Sequence, residues 1–132
     1  MNTTIYASTS GEGPDVLLLH GLFGQGSNLR GIARALEAEF RVHCLDLPDH
    51  GRSLWLDEAS LAHYARAIVL WMSESGIASA HVVGHSLGGK VAMQLALSHA
   101  SLVNRLVVAD IAPAAYAGQP SEVFDALLQP PL

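Results

Sequence analysis

The sequence predicts an α/β fold, one mostly parallel sheet with helices on both faces. Three observations predict it. Short apolar runs alternate with longer stretches of helical spacing. The runs are apolar nearly throughout, as strands buried on both faces require. Each run is closed by Gly, Pro or Asp before the next pattern begins. The order is βαβαβαβ, and right-handed crossovers make such strands parallel.

The elements follow in turn. DVLLLHG supplies a buried strand, Val16 to Leu19, stopped by Gly21. Leu29, Ile32, Ala33, Leu36 and Phe40 recur at i, i+3, i+4, i+7 and i+11, one face of a helix. RVHCLDL is the next strand, closed by Pro48. Leu61, Tyr64, Ala65, Ile68 and Met72 repeat the helical spacing, with Ser60 placed to be its N-cap. SAHVVG is a short strand ending at Gly84. Gly89 to His99 is helical and apolar nearly all round, as a helix packed on two sides would be. LVNRLVVAD is a further strand ending at Asp110, and SEVFDALL has the pattern of a short helix.

Bulk properties narrow the function. The 132 residues suffice for one modest domain with a core. Half are hydrophobic and 14% are charged, a globular balance. The net charge is -5 with no Lys/Arg cluster, so neither nucleic acid nor an anionic membrane surface is an expected partner. Cys44 is the single cysteine; it fits a reducing compartment and reads as a small buried hydrophobe. The start, MNTTIYASTS, has neither the basic nor the apolar region of a secretory signal. No apolar run approaches the roughly 20 residues that span a bilayer. The expectation is a soluble, cytoplasmic protein. Residues 1–113 form the core, and 114–132 form a tail of different composition, with Gly118, Pro120, Pro130 and Pro131.

Ligands on such sheets bind beyond the carboxyl ends of the strands, so the residues after each strand carry the chemistry. After SAHVVG comes Gly84-His85-Ser86-Leu87-Gly88. G-x-S-x-G between a strand and a helix forces a sharp turn with the serine at its apex. The bare pattern is weak, and the flanking strand and helix sharpen it; otherwise it is an ordinary glycine-rich turn. The turn sets Ser86 beside a helix start, where backbone N–H groups are unpaired. Acyl transfer needs two such donors aimed at the developing oxyanion. Leu87, after the nucleophile, supplies one. The H-G-L-F-G loop supplies the other, from Leu22 or, as second choice, from Phe23, whose ring is better suited to line the acyl pocket. Taken alone, the loop is equally readable as a simple turn.

Together HGLFGQGSNLR, DLPDHGRS, VVGHSLGGKVAM and VVADIAP resemble the α/β-hydrolase superfamily, and within it the bacterial short-chain carboxylesterases with an H-G-L-F-G oxyanion loop. The resemblance runs from about Val16 to Pro113 and covers the first half of that fold, truncated after the strand following the nucleophile helix. It implies Ser86 as nucleophile, Leu22 and Leu87 as oxyanion amides, and Asp46 and Ser53 as structural residues behind the site. It implies a triad acid at Asp110, whose bland alternative is a strand-end residue bonded to local amides. Phe23 and His85 would line the substrate pocket.

The general base is missing. Of the seven histidines, His20, His43, His50, His63, His81, His85 and His99, none follows Asp110, where this fold places the base. His85 and Ser86 are neighbours whose side chains point apart, His20 orders the oxyanion loop, and His50 is a weak loop candidate. No histidine spacing suggests a metal site, and the mechanism needs no cofactor. The chain is therefore read as the amino-terminal part of a longer enzyme acting on small-molecule esters. Alone it should be nearly inactive, expose apolar surface, and self-associate or take up the missing carboxy-terminal half. Rival readings are C–C bond, thioester or amide hydrolysis or perhydrolysis on the same scaffold, and a non-catalytic binding module.

Overall fold

The structure, a computed structural model, describes residues 5–20, 26–47, 58–85 and 87–109. Five strands, β1 (Tyr6–Ser10), β2 (Asp15–Leu19), β3 (Arg41–Asp46), β4 (Ala80–His85) and β5 (Val103–Ala109), form one sheet in the order β1-β3-β2-β4-β5. Among the described residues three helices connect them: α1 (Gly26–Leu36), α2 (Glu58–Glu74) and α3 (Leu87–Ser98). A 3₁₀ turn, Ala100–Leu102, leads into β5. The β3–β2, β2–β4 and β4–β5 pairs are parallel, as the alternating pattern required.

Crossover handedness explains the layering. The path runs one way from β2 to β3, then back past β2 to β4 and on to β5. Right-handed crossovers then put α1 on one face and α2 with α3 on the other. The cores divide accordingly. Val16, Leu18, Val42 and Val83 meet Leu29, Ile32, Ala33 and Leu36 of α1. Leu17, Leu19, Leu45 and Val82 meet Tyr64, Ile68, Met72, Val91 and Leu95. Alternate residues of each strand serve opposite faces, so both faces of the central strands are dry.

Several expectations are corrected. The apolar pattern gives no sign of β1: its segment, YASTS, has little apolar character, and it pairs antiparallel with β3 at the sheet edge. The linker after it turns at Gly11 with φ of 83°, where a β-carbon would strike the carbonyl oxygen of Phe40. α1 stops at Leu36, four residues before Phe40. The Phe40 amide still reaches the Leu36 carbonyl, at 2.9 Å, and a separate turn buries the ring. α2 begins at Glu58, so Ser60 lies inside the helix and does not cap it. His99 falls between α3 and the 3₁₀ turn. α3 packs on two sides, against β4 and β5 and against α2, but it is not covered all round. Gly88, Gly89, Val91, Ala92 and Leu95 are buried, but Leu97 is 84% exposed and Met93 is exposed beside it. The helical pattern at SEVFDALL lies outside the described residues.

Candidate active site

The sheet order fixes where a site can form. Adjacent strands β2 and β4 have Leu19 in register with Gly84. Their following segments diverge to helices on opposite faces, which opens a crevice beyond their carboxyl ends. The H-G-L-F-G loop follows β2, and Ser86 follows β4.

Two glycines let these segments approach. A β-carbon on Gly84 would strike the carbonyl oxygen of Gly88 and come within 2.7 Å of Gly89 Cα. A β-carbon on Gly88 would strike the carbonyl oxygen of Leu19 and lie 2.9 Å from that of His20. The first turn of α3 is therefore pressed onto the last residues of β2, at the root of the loop. Leu87 is the first residue of α3, so its N–H has no intrahelical acceptor. Its side chain packs partly buried against the larger core. His85 closes β4, half-buried.

At the ends of β2 and β3, His20 meets Asp46. Nε2 of His20 lies 3.1 Å from Oδ1 of Asp46. The carboxylate only accepts, so Nε2 is the donor. The histidine is buried while the Asp46 side chain is 60% exposed. The pair holds the residue just before Gly21 from the neighbouring strand, in line with structural roles for both. Sequence reasoning did not connect the two, because they are far apart in the chain; the signal was that each closes an adjacent parallel strand.

Of the sequence-predicted site residues, His85 and Leu87 are described and flank position 86. Ser86, Asp110, Leu22 and Phe23 lie outside the described residues, as do His50, Ser53 and residues 114–132. Asp110 directly follows the last residue of β5. His43 and His81 sit in strands and His63 in α2, as expected. Sequence reasoning also missed the hydrogen bonds of His43 to Thr9 and Asp15. Burial, with Arg105 adding to it, holds His81 below the usual histidine range. Burial first, then Asp46, pushes the Cys44 thiol up, against an opposing pull from Arg30. That thiol packs partly buried against the α1-side core, as a small hydrophobe does. Among the described residues, no cluster of His, Cys, Asp and Glu could hold a metal ion. Among them, no helix is long and apolar enough to cross a membrane.

With this geometry in hand, comparison with known proteins is direct. A profile of the alpha/beta hydrolase fold family matches residues 14–129. The chain is 40% identical over 113 residues to pimeloyl-(acyl-carrier protein) methyl ester esterase of Vibrio vulnificus, covering 86% of this chain and 43% of that protein. It is 42% identical over 108 residues to the sn-1-specific diacylglycerol lipase ABHD11 of Xenopus tropicalis, covering 80% of this chain and 34% of the lipase. Among solved structures, an esterase from a marine microorganism superposes with a TM-score of 0.71 at 30% identity, over 94% of this chain and 48% of that one. The chain thus spans less than half the length of these relatives.

Proposed function

The chain belongs to the alpha/beta hydrolase fold family, and on that premise we propose that it carries the nucleophile half of a serine-dependent hydrolase of small carboxylic esters. Ser86 Oγ attacks the ester carbonyl. The amides of Leu22 and Leu87 hold the oxyanion of the tetrahedral intermediate. A histidine from outside this chain, oriented by Asp110, takes the serine proton and passes it to the departing alcohol. Water, deprotonated by the same histidine, then releases the acid from the acyl-enzyme. Phe23 and His85 line the pocket, and no cofactor takes part.

One observation carries this reading. The start of α3 is pressed onto the end of β2, which brings Leu87 and Gly88, just after Ser86, close to His20, just before the H-G-L-F-G glycine. An alanine at position 84 or 88 would forbid that approach. The ester substrate is supported by the naming of two similar proteins as an esterase and a lipase. The test is ester hydrolysis by this chain joined to the carboxy-terminal half of the Vibrio vulnificus relative. A panel of short acyl esters should be turned over, and Ser86→Ala should lower kcat at least about 10³-fold. Equal activity in the alanine variant would remove the serine mechanism.

A further inference from the structure

β1 has little apolar character to hold it in place. Ile5 and Ala7 face the larger core, and Thr9 is the next residue on that side. Two apolar contacts specify register weakly, and strands of this kind slip. Yet β1 pairs with β3 in a single register, with Thr9 opposite His43 and Tyr6 opposite Asp46.

The group beneath Thr9 is a buried imidazole. His43 is 2% exposed. Its Nε2 lies 2.8 Å from Asp15 Oδ1 on β2, and its Nδ1 lies 2.8 Å from Thr9 Oγ1 on β1. Arg41 Nε is 3.7 Å from the same Asp15 oxygen. Trp71 of α2 meets the imidazole edge-on, with ring centroids 5.3 Å apart. The carboxylate only accepts, so Nε2–H donates to Asp15. Nδ1 of that tautomer is an acceptor, and the Thr9 hydroxyl donates to it. Both ring nitrogens are thereby satisfied, as burial demands.

No other register both satisfies them and keeps the apolar side chains inside. A slip by one residue sets Ser8 or Ser10 opposite His43, but it turns Ile5 and Ala7 away from the larger core to the opposite face. A slip by two keeps the face and sets Ala7 or Gly11 there, and neither has a hydroxyl. That slip leaves Nδ1 buried without a donor. The structure assigns Thr9, His43 and Asp15 a further role, as a polar lock that selects the register of β1. The lock also fixes which residue stands beside Asp46, the partner of His20, at the far end of the strand. It does not depend on the chemistry proposed for Ser86.

Amide hydrogen exchange on the full 132-residue chain tests this. Thr9→Val keeps the shape and the β-branch and removes only the donor. The lock predicts that β1 amides exchange about tenfold faster in this variant, that β2–β4 and β4–β5 amides are unchanged, and that the His43 Nδ1 resonance moves. Thr9→Ser restores the donor and should return β1 exchange close to that of the parent. Unchanged β1 exchange with the Tyr6–Asp46 pairing intact in Thr9→Val would overturn the lock. So would acceleration spread evenly over all five strands, or a Thr9→Ser variant no better than Thr9→Val.

Discussion

At the scale of single residues, two buried polar atoms have unusual surroundings. Tyr64 is almost fully buried on the inner side of α2, and its hydroxyl has no hydrogen-bond partner among the described residues. A buried hydroxyl without a partner carries its desolvation cost uncompensated. Tyr64→Phe should therefore be neutral or stabilising by up to about 1 kcal/mol, read from urea unfolding. His81 is the second case. Its Nδ1 is buried without a partner among the described residues, so the imidazolium would hold an unsatisfied N–H there. Burial and Arg105 lower its pKa in the folded chain. Between that lowered value and the ordinary histidine value, the unfolded chain binds more protons than the folded one. Stability contributed by this residue then rises with pH, and it is lost as pH falls through the ordinary histidine range. His81→Gln should flatten that part of the stability–pH curve. A curve unchanged by the substitution would assign the slope to other groups.

At the scale of elements, glycines separate close approach from open space. Gly88 meets the Leu19 and His20 carbonyls, so Gly88→Ala must push α3 off β2. The expected cost is about 1–3 kcal/mol. Gly31 is the contrast: it sits within α1, and a β-carbon there would have open space around it. Gly31→Ala should raise stability by about 0.5–1 kcal/mol. Thermal unfolding of the two variants would show shifts of opposite sign. The same scale shows what the sequence reveals. β2, β3, β4 and β5 were legible because strands between two helical layers must be apolar on both faces. α1, α2 and α3 were legible from their spacing. β1 was not, because it is held by backbone pairing with β3, two apolar contacts and one hydroxyl on a distant imidazole, and no local pattern records that. The bulge between β4 and β5 was equally silent. There Val82 pairs with Leu106 while Ala80 pairs with Val103. In the candidate site, the glycines around position 86 were readable, whereas the His20–Asp46 contact depends on which strands become neighbours.

At the scale of the whole molecule, the chain spans less than half the length of the relatives it matches. Leu106 and Val108 are exposed on β5, a strand paired with β4 alone among the described strands, and Leu97 and Met93 are exposed on α3 nearby. A β-carbon on Gly89 would come within 2.9 Å of Val108 Cγ1, so the strand and helix residues flank one surface. Exposed apolar strand edges favour association. Leu97→Lys should leave the fold intact and lower self-association several-fold in light scattering. Undiminished association would place the contact elsewhere. The proposed chemistry belongs to the same scale, because the proposal takes its base from beyond this chain. The most direct test is the site of fluorophosphonate modification, mapped by peptide mass spectrometry on the chain joined to a carboxy-terminal half that supplies the histidine. The account predicts one adduct, on Ser86, formed far more slowly in the 132-residue chain alone. An adduct on another residue, no adduct in the joined protein, or equal rates with and without the second half would contradict it.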